Sequence, residues 1–481
     1  MNGRRCVILV ADGARPDVLE RLLVLGKLPN LSSILALGGS YNRAVTVFPS
    51  TSGPAYLPMI TGKHPGDCNI PGIRWFERSN GQGMPIQGKL RSYVGLGSRF
   101  LRSDLSAHTQ TLFEISPGSV AIASALAGNY NTKTLSRYEL LFMFAHLTGH
   151  YYILDKLASY DIVNAVESAA PVVFGILHAI DGYSHKHSPE ASVTHDSYVA
   201  LDRLLGIIVD RLRRKRQEYM LIVTSDHGLT ATTRHLDLAE ILSSFGCTVY
   251  AFPSVLGEWN PKAFEYDNLL SSVDCICAVS GNSMANIYFR NGISWEGITY
   301  CENLQQVIAG LLANPGVDIV AGRSLSGGIR VFSRRGQSSM EFDGTNVIYS
   351  AIERDPFGYK NMPIGIPIDL AFPFTYDTDY PDAPLQLFHL LQSARAGDLV
   401  ASATEGFDFR TNEFPLHHSS HGSLCRAHML VPLVSTSSIR SKYVRTVDIF
   451  PTILEYMGIP SDKLELQGRS FLGDGIAPFR S

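Results

Sequence analysis

"CVILVADGARPD", residues 6–17, runs six apolar residues directly into an aspartate and a glycine. A run of this length suits a strand rather than a helix. Its lack of alternation marks burial on both faces, as in the parallel sheets of α/β proteins. Ligands in open α/β sheets sit beyond the carboxyl ends of the strands, so Asp12, the first polar residue after the run, has a positional meaning. Two later stretches have the same form: "APVVFGILHAI" (170–180) is closed by Asp181, and "YMLIVTS" (219–225) by Asp226. "HMLVPLVS" (428–435) is a further candidate for the same set. Helical patterns between the runs predict an α/β fold, a mostly parallel sheet sandwiched by helices.

The texture changes from about residue 246 to 400, which is richer in Gly, Pro, Asn and aromatics; "PFGYKNMPIGIPIDLAFPFTYDTDYPDAP" (356–384) has no helical period. We read 246–400 as an inserted cap subdomain, with the catalytic core made of 1–245 and 401–481. Near the end, "YVRTVDIFPTILEYMGIP" (443–460) regains a helical pattern through Val447, Ile449, Phe450, Ile453, Leu454 and Met457.

With 45% apolar residues, 18% charged residues and Lys+Arg 41 against Asp+Glu 44, the chain has no net field to attract a nucleic acid polymer or a membrane surface. Seven cysteines without CxxC spacing argue against a disulfide framework, and "MNGRRCVILVADG" shows no signal-peptide pattern, so a cytoplasmic location is expected. The most apolar later segment, "YELLFMFAHLTGHYYILDKLA" (138–158), is broken by His146, Gly149, His150 and Asp155. It reads as a buried or lid-forming helix pair rather than a membrane span.

Histidines accompany the three strand-end acids: His185 lies four residues after Asp181, His227 follows Asp226, and "SSHGSL" brings His421 close to the last candidate strand. Singly these are ordinary, since an Asp after a strand commonly caps a helix and an Asp181–His185 pair can decorate a surface loop. Jointly they make six oxygen and nitrogen donors. Such a mixed set suits Zn2+, with Mn2+ or Fe as alternatives. His187, His417 and His418 are expected around the site rather than as ligands.

Together, "VADGARPD" (10–17), "LPNLSSILALGG" (28–39), "FPSTSGPAYLPMITGKHPG" (48–66), "DGYSHKHSP" (181–189), "TSDHGLT" (224–230), "SSHGSL" (419–424) and "RTVDIFPTILEYMGIP…QGRS" (445–470) resemble the alkaline phosphatase superfamily, in its type I phosphodiesterase and nucleotide pyrophosphatase branch. The resemblance implies two divalent metal ions, usually zinc. One would be held by Asp12, Asp226, His227 and the nucleophile oxygen, the other by Asp181, His185 and His421. The family's nucleophile stands two residues before a proline, which selects Ser52 in Ser52-Gly53-Pro54; Thr51 is the reserve and Ser50 a turn hydroxyl. Where the diesterases carry an asparagine that holds phosphoryl oxygens, this chain reads "CNIPGIRWFER" (68–78). Arg74 falls closest, with Asn69 upstream. A guanidinium there would grip two oxygens as in monoesterases, unless Arg74 is a surface residue paired with Glu77.

The implied activity is hydrolysis of a phosphodiester or nucleotide pyrophosphate, a small-molecule phosphate ester, through a covalent phosphoseryl or phosphothreonyl intermediate. Alternatives on the same site are a phosphomonoesterase, a phosphonate hydrolase, a phosphoryl transferase or mutase, and a non-catalytic binding module. A sulfatase is disfavoured, because Ser52-Gly53-Pro54-Ala55-Tyr56 lacks the arginine that relative requires.

Overall fold

The computed structural model describes residues 4–78, 89–124, 132–216, 218–253, 272–410 and 417–472. Its core is a seven-stranded sheet in the order Val444–Arg445, Ser40–Val45, Leu430–Ser435, Tyr219–Thr224, Arg5–Ala11, Val172–Leu177, Val120–Ile122. Arg5–Ala11 is central and pairs in parallel with both neighbours. Side chains alternate across a strand. Cys6, Ile8 and Val10 therefore enter one apolar cluster while Val7, Leu9 and Ala11 enter the other. That double burial is why the opening run is apolar throughout. One face is covered by helices Leu57–Thr61 and Ile449–Met457, the other by Tyr151–Glu167 and Ser192–Arg214.

Leu430–Ser435 departs from the expected parallel set, for it runs antiparallel to both Ser40–Val45 and Tyr219–Thr224. The reason is where the chain enters it. Ser419–Met429 lies at the carboxyl ends of the parallel strands, with Gly228 N donating to His428 O at 2.9 Å, so the next strand can only run back through the sheet.

A second sheet of nine strands is built between Val249–Phe252 and Leu399–Ala403. Its hairpin Cys275–Ser280 and Met284–Phe289 reaches the core at its tip: Ser283 N donates to His421 O at 3.0 Å, and Ile73 N to Ser280 Oγ at 2.8 Å. Gly281, at φ +67°, is packed so closely that a Cβ would stand 2.8 Å from the Cβ of Thr51. Only glycine fits both that backbone and that approach.

Residues 138–158 belong to two helices, Thr132–Thr148 and Tyr151–Glu167, joined at Gly149 and His150. The second buries Leu154, Ala158 and Ile162, whereas the first leaves Leu140, Phe144 and Leu147 exposed. Among the described residues no helix is long and apolar enough to cross a membrane. All seven cysteines are free thiols.

Candidate active site

The carboxyl ends of the three central strands set the site. Asp12 follows Arg5–Ala11, Asp226 stands two residues beyond Tyr219–Thr224, and Asp181 lies in the first turn of helix Ala179–Lys186, one turn before His185. Asp12, Asp226 and His227 are at most 2% exposed and His421 is 6% exposed, so three strand-end carboxylates and their histidines share largely dry surroundings.

Ser52 turns its hydroxyl into this group. Its Oγ is 3.2 Å from Asp12 Oδ1, 3.4 Å from Asp12 Oδ2 and 3.1 Å from His227 Nε2. Thr51 does not share the position: it is fully buried, its Oγ1 has no hydrogen-bond partner, and it packs under Gly281. Ser50 Oγ donates to Ser423 O at 2.8 Å, so it ties its own segment to the one that carries His421 rather than closing a local turn.

Three imidazoles are oriented by backbone. His185 Nδ1 donates to Ser419 O at 2.9 Å, His227 Nδ1 to Gly228 O at 3.0 Å and His421 Nδ1 to Ser50 O at 3.2 Å. A carbonyl can only accept, so the proton is on Nδ1 and the Nε2 of each neutral ring carries a lone pair. Those nitrogens face carboxylates: His185 Nε2 is 3.2 Å and His421 Nε2 3.9 Å from Asp181 Oδ1, while His227 Nε2 is 3.4 Å from Asp226 Oδ2 and 3.5 Å from Asp12 Oδ1. Asp181 Oδ1 and Asp226 Oδ2 are buried without a hydrogen-bond partner. Lone pair against lone pair in a dry setting is repulsive unless a proton or a metal cation lies between. Burial would lower His185 and His227, yet the charge of Asp181 raises the one and those of Asp226 and Asp12 the other. The donor set is also one that divalent metals take. The donor atoms form two overlapping groups, Asp12 with Asp226 and His227, and Asp181 with His227 and His421; within each, all atoms lie within 4.8 Å of one another.

Electrostatics agree with this crowding. Burial, then the charge of Asp12, push Asp226 up to about 7. Burial would also raise Asp12, but the hydrogen bond and charge of His178, the charge of His227 and the hydroxyl of Tyr56 bring it down to about 2. His178 is opposed by burial yet raised to about 9, chiefly by its hydrogen bond to Asp12 and that carboxylate's charge. Burial and the neighbouring His227 and His185 hold His421 well below the usual imidazole range, which keeps it a neutral donor.

Arg74 opens the short strand Arg74–Phe76 and reaches Val279 O through Nη1 at 3.4 Å, beside the hairpin tip. Its charge is felt at His417, which burial first of all depresses and whose ring centre lies 4.6 Å from that of His185. Glu77, the partner anticipated for a surface Arg74, bonds Arg395 Nε at 2.9 Å. Asn69, upstream of Arg74 in the sequence, has structural bonds in the fold. Asn69 sits in a turn at φ 62°, its Oδ1 accepts from Ser393 Oγ at 2.8 Å and its carbonyl from Arg395 Nη1 at 3.1 Å, so it braces the core against the second sheet.

Two site residues escaped the sequence reading. Tyr56 OH donates to Asp12 Oδ2 at 2.7 Å, and His178 Nδ1 reaches the same oxygen at 2.9 Å. Their signal was positional: Tyr56 stands one turn after Ser52, and His178 immediately follows a core strand.

A model of the type I phosphodiesterase / nucleotide pyrophosphatase family matches residues 6–268. The rat protein ectonucleotide pyrophosphatase/phosphodiesterase family member 7 is 24% identical over 220 residues, 44% of this chain and 48% of that protein, so the match spans about half of that relative's length. Among solved structures, the phosphonoacetate hydrolase of Sinorhizobium meliloti 1021 in complex with phosphonoacetate aligns over 95% of this chain and 96% of its own, with a TM-score of 0.55 and 17% identity. Human ectonucleotide pyrophosphatase / phosphodiesterase 5 aligns over 95% of both chains with a TM-score of 0.56 and 14% identity. An inactive threonine-to-alanine variant of the murine form in complex with AMP aligns over 95% of this chain and 96% of its own, with a TM-score of 0.53 and 13% identity. These likenesses show the fold, a mixed α/β architecture shared with both groups. Because the family match covers more than half of the chain and includes Asp12, Ser52, Asp181, His185, Asp226 and His227, this chain belongs to the type I phosphodiesterase / nucleotide pyrophosphatase family.

Proposed function

We propose that the chain hydrolyses a small phosphodiester or nucleotide pyrophosphate, with Ser52 as nucleophile and two divalent cations, zinc first and Mn2+ or Fe as alternatives. The observation that carries this reading is the set of buried carboxylates whose partnerless oxygens face imidazole lone pairs around one hydroxyl. Asp12, Asp226 and His227 would hold one ion together with Ser52 Oγ, and Asp181, His185 and His421 the other. Bound there, the cations would favour the serine alkoxide and neutralise charge on the phosphoryl oxygens.

The chain's own groups do the rest. Ser52 Oγ displaces the leaving alkoxide in line, its proton lost to water as the alkoxide forms and the leaving alkoxide taking a proton back from water, and the resulting phosphoseryl ester is cleaved by water. His227 and His421, stacked with ring centres 3.8 Å apart, keep their Nε2 atoms directed into the site. Arg74 enters from the hairpin side to take phosphoryl oxygens. If it takes two, a monoester or phosphonate becomes the preferred substrate, which is the second reading. We further propose that the 246–400 region is a cap that selects the leaving group, since its hairpin tip touches His421. The free thiols suit a cytoplasmic enzyme.

The test is zinc analysis of the purified protein followed by assay against matched mono-, di- and pyrophosphate esters, with AMP esters and phosphonoacetate included because the structural neighbours hold AMP and phosphonoacetate. Two ions per chain and turnover of diesters are expected. Fewer than one ion together with no turnover of any ester would leave a non-catalytic binding module.

A further inference from the structure

The fold treats the two oxygens of Asp12 differently. Oδ2 accepts from Tyr56 OH at 2.7 Å and from His178 Nδ1 at 2.9 Å, which occupies both of its lone pairs. Oδ1 is the oxygen nearer to Ser52 Oγ, at 3.2 Å, and the one that faces His227 Nε2, at 3.5 Å. Neither donor is loose. Tyr56 is 7% exposed and ends the turn Pro54–Tyr56 that begins two residues after Ser52, so the segment carrying the hydroxyl is itself tied to Asp12. His178 is fixed from behind: its backbone N–H donates to Asp155 Oδ1 at 2.7 Å, Ala179 N to Asp155 Oδ2 at 3.0 Å, and Phe142 packs edge-on against its ring at 5.5 Å.

We infer that Tyr56 and His178 are positioning residues that occupy Asp12 Oδ2, leaving Oδ1, the oxygen nearer to Ser52 Oγ, as the one Asp12 offers to a cation. This rests on the proposed reading of the site. A carboxylate with both oxygens free can swing between one-oxygen and two-oxygen binding, and each swing would carry the ion away from Ser52 Oγ. Donors around a ligand commonly set metal affinity or activity by ten- to a hundredfold. Because Tyr56 grips Asp12 from the nucleophile's own turn, its loss should loosen the spacing between hydroxyl and ligand as well as the ligand itself.

The test uses full-length Tyr56→Phe, His178→Ala and His178→Asn, each checked for parental thermal stability. Zinc affinity is read by competition with a chromogenic chelator, and kcat and KM are read separately on the best ester of the panel. Tyr56→Phe removes one oxygen and no packing. It should weaken zinc binding about tenfold or more and lower kcat with KM within about threefold. His178→Ala should do the same, and His178→Asn, which keeps an N–H donor near the position of Nδ1, should recover most of the loss. Parental zinc affinity and kcat in Tyr56→Phe would overturn the inference. Equal losses in His178→Ala and His178→Asn would also overturn it, by assigning His178 to packing. Asp226→Ala separates this from the site itself: if that variant loses zinc while Tyr56→Phe does not, the clamp alone is wrong, and if it keeps two ions the site falls and the clamp with it.

Discussion

Two groups of histidine and aspartate in this molecule look alike in composition and differ in physics. The strand-end group gathers Asp12, Asp181 and Asp226 with His227 and His421, and His185 joins it through Asp181 at 3.2 Å; two buried carboxylate oxygens are left without hydrogen-bond partners. The other group, His64, Asp67 and His389, joins the core to helix Ala383–Gln392. There the one carboxylate is paired, His389 Nδ1 donating to Asp67 Oδ2 at 2.8 Å, and His64 Nδ1 donates to Gln467 Oε1 at 3.0 Å. The two rings stack 4.0 Å apart with planes inclined by 4°, much as His227 and His421 do at 3.8 Å, so it is the paired carboxylate and not the stacking that sets this group apart. Burial, then the charge of His389, hold His64 well below the usual imidazole range and keep it neutral. Residue type therefore does not make a cation site. Uncompensated buried negative charge and converging lone pairs do.

The sharpest way to break the comparison is at the hydroxyl that only the first group possesses. Ser52→Ala should lower turnover by at least about a thousandfold, since direct attack by water would have to replace the positioned hydroxyl, whereas Thr51→Ala should keep a substantial fraction. The opposite ranking in steady-state assays would move the nucleophile by one residue. Removing a donor comes next: Asp226→Ala should lose bound metal and about a hundredfold or more in rate, and metal analysis with retained stoichiometry would show the first group to be misread.

Arg74 tests the rim of that group. A monoester presents an extra unbridged oxygen that a guanidinium can bind as a fork, while a diester masks it. Arg74→Ala should therefore cost about 3 kcal/mol, roughly a hundredfold in kcat/KM, on a monoester and much less on the matched diester. Equal losses on both would mean general phosphate positioning.

A pH series sharpens the contrast of charge. In the unfolded chain an aspartate titrates near ~3.9. In the fold Asp226 is raised to about 7, so the proton is bound more tightly by the folded protein. The sign follows: this group's contribution to the stability of the metal-free protein is full below about pH 4 and is lost as pH rises through about 7. A cation takes the proton's place and its affinity has no such loss. The rise in Tm on adding zinc should accordingly grow between pH 5 and pH 8 in scanning calorimetry; an increment independent of pH would mean that Asp226 does not exchange its proton for metal.

How much of this was legible depended on whether the cause was local. Asp12 and Asp226 could be read because a strand buried on both faces is apolar throughout and its first polar residue marks the carboxyl end. Ser52 was singled out by the family resemblance, in which the nucleophile stands two residues before a proline, and the fold brings its hydroxyl to Asp12 and His227. Ser40–Val45 and the edge strand Val120–Ile122 could not, because one has four half-buried residues of six and the other is three residues long, too little for any period to register. The direction of Leu430–Ser435 was hidden because the run itself is symmetric; only the placement of His421 at its start dictates it. Tyr56 and His178 act on a residue 44 and 166 positions away, and no spacing rule reports such contacts. The bracing contact of Asn69 was hidden for a related reason: its bond to Ser393 is set by the second sheet, not by its neighbours in sequence.

The smallest expected effect lies in the second group and decides whether the comparison stands. Asp67→Ala removes the acceptor of His389 Nδ1 at a place where both side chains are mostly buried, 23% and 15% exposed. Losing one hydrogen bond of this kind costs about 1 kcal/mol, a Tm shift of about 1–2 °C in a chain of this size. Because Asp67 is already paired with His389 and His64 is already bonded to Gln467, no donor set is broken, so metal content and kcat should equal those of the parent. Loss of one ion per chain in Asp67→Ala would show that the stacked histidines part to admit a cation, and charge balance would then no longer separate the two groups.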